Sequence, residues 1–173
     1  YTWNDHGQLS SVKSLAGEFT YGYDAKSPAL LTKMTGPAHE VETSYEPHRN
    51  LITGVVNKAK PDSKLSTKHE EPSTLSSYTY ANDLLGRRDT ISQGGDAFAM
   101  LKLGQNKVEV AYNDRSEVTG AVYRTGGEAR QTFDYTYDAI GNRERTVSEI
   151  DSKRSELSYE TNSLNQYKKI SAN

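Results

Sequence analysis

At 173 residues with a formal charge of −2 and a pI near 6.1, the chain has no bulk electrostatic attraction for nucleic acid or an anionic membrane. It contains no cysteine, which excludes disulfide frameworks, thiolate nucleophiles and cysteine-based zinc or iron–sulfur sites, and leaves the redox compartment open. Only 34% of residues are hydrophobic and the mean hydropathy is −0.83, so the composition predicts a wide, thin sheet with one face covered by aromatic rings and the other wet. No run approaches the ~20 apolar residues of a spanning helix, and no signal peptide is visible. The chain starts at Tyr1, inside a strand and without methionine, as expected of a piece of something longer.

The first hairpin opens at once. Tyr1-Thr2-Trp3-Asn4-Asp5-His6-Gly7-Gln8-Leu9 reads as strand, turn and return strand; Val12 and Leu15 continue the return, and Ala16-Gly17 turns the chain into Phe19-Thr20-Tyr21. Side chains alternate across a strand, so Phe19, Tyr21 and Tyr23 share a face. Asp24 ends that strand, and Pro28 replaces the turn glycine, fixing φ and withholding an N–H from the ladder, before Leu30 and Leu31. Gly36-Pro37 breaks the pattern, residues 41–45 resume it, Tyr45-Glu46 closes it, and residues 51–56 return. Residues 57–77 are rich in lysine, serine, threonine and glutamate and predict a long loop or a polar outer hairpin. Within it, Lys68-His69-Glu70-Glu71 is a solvated charge run, since one histidine and two adjacent carboxylates on alternating faces make no ligand set.

Tyr78-Thr79-Tyr80 restarts the strand, with Ala81 and Asn82 read as two inserted residues before Asp83-Leu84-Leu85-Gly86-Arg87-Arg88. Residues 97–103 fit a short helical turn or an alternating strand, and Gly104 would end either. Residues 108–112 form a strand ending at Tyr112-Asn113, residues 117–124 return, and Gly126-Gly127 is a tight tip. The clearest copy follows in Phe133-Asp134-Tyr135-Thr136-Tyr137-Asp138-Ala139-Ile140-Gly141-Asn142-Arg143. Phe133, Tyr135 and Tyr137 make one apolar ridge; the Asp138 carboxylate can accept backbone N–H groups two or three residues on, and Gly141 can take positive φ. Residues 145–150 and 154–159 flank Asp151-Ser152-Lys153, and Tyr159-Glu160-Thr161-Asn162 leads to Asn165-Gln166-Tyr167.

These copies give about seven units starting near residues 1, 21, 43, 78, 110, 135 and 159, at an uneven period of roughly 20 to 35 residues that signals a repeat architecture. Of the 12 tyrosines, only Tyr123 and Tyr167 lie outside a unit-opening strand. Strand propensity alone would also enrich tyrosine. The joint order of aromatic pair, acid or amide, and aliphatic favours repeats. The motif residues, all given structural roles, are Tyr1, Trp3, Gly7, Tyr21, Tyr23, Asp24, Tyr45, Tyr78, Tyr80, Gly86, Arg87, Tyr112, Tyr135, Tyr137, Asp138, Gly141, Tyr159 and Tyr167.

The units resemble the Rhs or YD repeat family, named for the Tyr-Asp pair present here as Tyr23-Asp24 and Tyr137-Asp138. The likeness covers the chain except about 57–77 and 94–105, and is sharpest at 135–143, 83–88 and 162–167. Such repeats occur in bacterial Rhs proteins, the C components of insecticidal toxin complexes and teneurins. The resemblance implies an all-β fold: serial antiparallel β-hairpins in a curved, extended sheet, one YD-repeat region over 1–173 forming part of a hollow shell. It also implies export or display at the cell surface and a C-terminal toxin payload enclosed by neighbouring repeats of the same polypeptide. The self-cleaving region of that family carries an Asp-Pro-x-Gly-like signature, and this chain has no Asp-Pro.

Common catalytic motifs are missing: there is no Gly-x-x-x-x-Gly-Lys, Gly-x-Gly-x-x-Gly, His-Glu-x-x-His or Gly-x-Ser-x-Gly. His6, His39, His48 and His69 sit in or beside predicted turns, and Asp138 with Asn142 lacks the alternating acids of a calcium loop. Arg87-Arg88 and Lys168-Lys169 are either local contact points or, the favoured reading, solvated basic residues at turns and strand edges. No cofactor, metal, nucleic-acid partner, membrane insertion or enzymatic activity is expected. Two function classes stand: a structural β-shell segment, and a carbohydrate-binding or adhesion module with Trp3 and tyrosines as platforms for glycans. The first expects the motif tyrosines to be substantially buried; the second expects Tyr21, Tyr80 and Tyr137 to line an open groove. Free edge strands would allow self-association.

Overall fold

A computed structural model describes residues 1–61, 73–100 and 106–172. Its strands are β1 (Thr2–Trp3), β2 (Leu9–Ser14), β3 (Gly17–Tyr23), β4 (Leu31–Thr35), β5 (His39–Tyr45), β6 (Ile52–Ala59) and β7 (Ser73–Asn82), then β8 (Arg88–Gly94) and the helix α1 (Asp96–Met100). After these come β9 (Asn106–Tyr112), β10 (Val118–Thr125), β11 (Glu128–Tyr137), β12 (Arg143–Ile150), β13 (Lys153–Thr161) and β14 (Tyr167–Ala172). Strand order in the sheet is chain order, β1 to β14, so the all-β serial-hairpin expectation holds. Two compact units divide the chain: Tyr1–Tyr80 with Gln93–Leu103, and Ala81–Ser92 with Gly104–Asn173.

In the first unit β1 to β7 pair successively and antiparallel; in the second, β9 to β14 do the same. The tips between β2 and β3, β10 and β11, and β12 and β13 are tight, with two residues each. Gly126-Gly127 (φ 60° and 89°) and Asp151-Ser152 (φ 48° and 64°) have both central residues left-handed, the form whose twist matches that of the flanking strands. Turns from odd to even strands are wider, and a register shift precedes them at Trp3, Tyr23, Tyr45, Tyr112, Tyr137 and Thr161. Such a bulge re-aims the side chain at the strand end.

The interior is thin. The buried hydrophobic residues among those described are Ala59 and Ala121, and no large side chain is fully buried. Tyr21, Tyr23, Tyr45, Tyr80, Tyr112, Tyr135, Tyr137 and Tyr159 are half-buried, their rings covered by same-face neighbours instead of by a second layer. Phe133 and Tyr135 stack at 6.3 Å, and Tyr123 meets Phe133 edge-on at 5.8 Å, separations favourable for aromatic pairs. The other face carries cross-strand ion pairs, including Lys58–Glu42, Arg124–Glu109 and Arg145–Glu156.

Several expectations are corrected. Leu15 does not extend β2; it lies in the two-residue Leu15-Ala16 tip and is fully exposed, and Gly17 opens β3 at φ 113°, with the Pro37 ring where a Cβ would lie. For the polar stretch 57–77, expected as a long loop or a polar outer hairpin, the described ends fit the hairpin: β6 runs to Ala59, β7 starts at Ser73, and the two pair antiparallel. A backbone ladder tolerates polar side chains that satisfy one another, and Asn57 Nδ2 donates to Ser76 Oγ at 3.0 Å. The rest of that loop, with Lys68-His69-Glu70-Glu71, lies outside the described residues. Ala81 and Asn82 are not insertions: β7 runs through them to Asp83, so Tyr78 and Tyr80 sit two residues earlier than assigned. Of residues 97–103, 97–100 are helical in α1, where Phe98 meets Tyr78 edge-on at 5.8 Å; residues 101–105 lie outside the described set.

Candidate functional site

The motif residues build one turn five times. Asn4, Asp83, Asn113, Asp138 and Asn162 each place Oδ1 to accept the backbone N–H groups two and four residues on. Their own N–H groups donate to the carbonyl four residues ahead, and their carbonyls accept from the N–H three residues ahead. The third residue on is left-handed in every case: Gly7 (71°), Gly86 (82°), Ser116 (63°), Gly141 (92°) and Asn165 (59°). Such short side chains offer the backbone an alternative to the ladder, and this is why strands stop here.

The second atom of each side chain is matched by what stands four residues on. Asp83 Oδ2 accepts from Arg87 Nε at 2.6 Å, and Asp138 Oδ2 from Asn142 Nδ2 at 2.8 Å. Where the residue is asparagine its Nδ2 donates instead: to Gln8 Oε1 at 3.0 Å, Glu117 Oε2 at 2.6 Å and Gln166 Oε1 at 3.1 Å. The Asn142 amide, joined by the turn N–H groups, holds the Asp138 carboxyl below the ordinary aspartate range against the opposing effect of burial. At Asp83 burial pushes upward, but the Arg87 side chain and the turn N–H groups together bring the carboxyl down.

Tyrosine hydroxyls then stitch each hairpin to the one before. Tyr23 Oη donates to Leu9 O (2.9 Å), Tyr45 to Leu31 O (2.9 Å), Tyr112 to Arg88 O (2.8 Å) and Tyr137 to Val118 O (2.7 Å). Each acceptor is the first residue of the preceding return strand. In three of the four cases it lies just past the end of the backbone pairing, which begins at Ser11↔Thr20, Lys33↔Glu42 and Gly120↔Asp134, so the phenol supplies a donor where the ladder has none. Asn82 and Thr161 hold this position in two units. Thr161 is too short to reach, and Tyr167 serves from the return strand, its Oη accepting from Arg143 N–H at 3.1 Å. Trp3 holds it in the first unit and is 64% exposed; Tyr1 (85%) and Tyr167 (50%) are exposed as well.

Arginines link successive turns. Arg87 Nη1 donates to Asn113 O and Ser116 Oγ while its guanidinium lies 4.6 Å over the Tyr112 ring; Arg115 donates to Asp138 O and Ala139 O. Arg143 lies 4.2 Å over Tyr135, a cation–π contact that offsets a buried Nε with no hydrogen-bond partner. Two turns depart from the pattern. Asp24 Oδ1 caps Lys26 and Ser27 in a longer loop closed by Asp24 N–H to Leu30 O, and Glu46 holds Arg49 at 2.6 Å. Beside the Asp24 loop, Tyr21, Tyr23, Asn4 and His6 line a shallow cleft of about 280 Å³.

Sequence reasoning placed Gly7, Gly86 and Gly141 in turns but missed Ser116 and Asn165 in the same role, the phenol stitches, and Arg115. The asparagines and the alternation of partner four residues on were the available signals. Among the described residues no group of three or more His, Asp or Glu could hold a metal ion, and no helix is long and apolar enough to cross a membrane.

No family model matches the chain, and no curated protein matches it. Among solved structures it is similar to a porin-like protein from Bacteroides uniformis (TM-score 0.42, 13% identity, 90% of this chain and 59% of that one). It is also similar to the Tc holotoxin pore of Photorhabdus luminescens (TM-score 0.35, 10% identity, 96% of this chain and 11% of that one) and to a TcdB2–TccC3 structure (TM-score 0.30, 12% identity, 96% and 12%). The chain therefore spans 59% of the first and about an eighth or less of the others.

Proposed function

We propose that this chain is wall material: a run of Rhs/YD-type hairpins within a longer, secreted or surface-displayed bacterial polypeptide, enclosing or presenting another part of it, such as a C-terminal toxin payload. The observation that carries this reading is the phenol stitch from Tyr23, Tyr45, Tyr112 and Tyr137 to the preceding hairpin. It commits these four side chains to continuity between neighbouring hairpins. Its partners are then adjoining repeats and an enclosed segment, and chemistry belongs to the payload. The test is limited proteolysis of the full gene product. A payload segment protected in the parent and cleaved once Tyr137→Phe and Tyr112→Phe loosen the wall supports the reading; a gene that encodes no further repeats and no second segment overturns it.

A second reading, glycan binding, is favoured by the exposure of Trp3 and Tyr1. Glycan-array signals abolished by Trp3→Ala would establish it, and an array without signal would remove it.

A further inference from the structure

The chain has no cysteine, so no disulfide fastens its hairpins. The last hairpin holds another route to a covalent link. Tyr159 on β13 and Tyr167 on β14 stand on paired strands, with Tyr159 opposite Ile170 and Thr161 opposite Tyr167. Because Thr161 leaves the stitching position empty, Tyr167 leans over it, and the two rings meet with centroids 5.3 Å apart and planes tilted by 52°. We propose that Tyr159 and Tyr167 are an oxidative cross-linking site, which a one-electron oxidant of the haem peroxidase and hydrogen peroxide class converts to an intrachain dityrosine. The inference goes beyond the wall reading and does not depend on it.

Each phenol gives up one electron and one proton. The two phenoxyl radicals pair at ring carbons ortho to oxygen, forming one C–C bond, and the two hydrogens displaced from those carbons return to the oxygens. Two phenols lose two hydrogens in all, and one hydrogen peroxide takes up two electrons and two protons to become two waters. Tyr167 is 50% exposed and within reach of the oxidant. Its oxygen accepts from Arg143 N–H, which leaves its own proton uncommitted to that bond. Tyr159 is more covered, its hydroxyl 3.2 Å from Thr146 Oγ1, and the ring contact lets it pass an electron to its oxidised neighbour.

The choice of pair is specific. Tyr78 and Tyr80 lie on one strand with centroids 6.4 Å apart and planes nearly parallel at 12°. Coupling shortens a centroid separation to two ring radii plus one bond, so that pair must close further, against the strand's own spacing. Tyr123 and Tyr135 face Phe133, which has no hydroxyl to oxidise.

The experiment treats the dilute chain with a haem peroxidase and hydrogen peroxide and reads dityrosine fluorescence of the monomer fraction, intact mass and the cross-linked peptide. The expected product is a monomer two hydrogens lighter, its link mapped to Tyr159 and Tyr167. Monomer fluorescence is lost in Tyr159→Phe and in Tyr167→Phe, kept in Tyr78→Phe, and lost when the parent is oxidised in urea. Circular dichroism shows whether each variant stays folded, and the mapped peptide of the parent decides the matter whether or not it does. A link mapped to Tyr78 and Tyr80, fluorescence confined to dimers, or an equal yield in urea overturns the proposal.

Discussion

Asn113→Asp isolates the matching rule of the turns. The replacement keeps Oδ1 as acceptor for the Arg115 and Glu117 N–H groups, but turns the donor that faces Glu117 Oε2 at 2.6 Å into a second carboxylate oxygen. A hydrogen bond to a charged acceptor is worth about 1.5–3 kcal/mol. Facing carboxylates at such range add about 1 kcal/mol of repulsion in a water-like medium. Arg115, 2.9 Å from Glu117 Oε2, and the partial exposure of the turn reduce the sum, giving a loss of about 2 kcal/mol near neutral pH. The facing carboxylates raise each other's pKa in the folded state, so the folded variant takes up protons before the unfolded one and its deficit shrinks as pH falls through the carboxylate range. Glu117→Gln in the same chain restores a donor against the carboxylate, the arrangement at Asp138 and Asn142, and recovers about 1–2 kcal/mol as a double-mutant coupling. Urea unfolding of the parent, both single variants and the double, at neutral pH and near pH 4.5, measures all of this. A cost for Asn113→Asp that is the same in the parent and in the Glu117→Gln background refutes the rule.

Tyr137→Phe removes one stitch and keeps the ring; a loss of about 0.5–1.5 kcal/mol is expected, and an unchanged urea midpoint would show the hydroxyl idle. Gly141→Val forces a branched side chain to φ 92° and costs about 1–2 kcal/mol, with Thr136→Val on the other face near neutral; melting temperatures equal to the parent for both would displace the turn. Arg145 holds the Glu156 carboxyl below its ordinary 4.5, so its contribution to stability is complete above that value and lost as pH falls through the lowered one. In Arg145→Met the Glu156 titration, followed by NMR, moves upward, and no movement would show the pair to be inert.

Period-two alternation and turn residues made the hairpin series legible, because every pairing is between strands adjacent in sequence and no long-range partner had to be guessed. The motif misled where a residue type was taken for a position. Tyr78 and Tyr80 carry the aromatic pair, yet the turn begins at Asp83, and Asn82 holds the place that Tyr23 and Tyr137 hold elsewhere. Ser116 and Asn165 show why a glycine search is incomplete, since the left-handed position requires tolerance of positive φ and not glycine itself. The phenol stitches were hidden because the register shift that aims them adds no residue to the motif. Polar composition hid the strand ends at Ala59 and Ser73, since ladder bonds come from the backbone.

Strand order that repeats chain order also bears on how the protein comes to be folded. Its strands pair with their neighbours in sequence, which keeps contact order low for a β protein. A hairpin in such a series needs only its predecessor in place, whose edge strand offers a row of open backbone groups and, at Leu9, Leu31, Arg88 and Val118, a carbonyl for the next phenol.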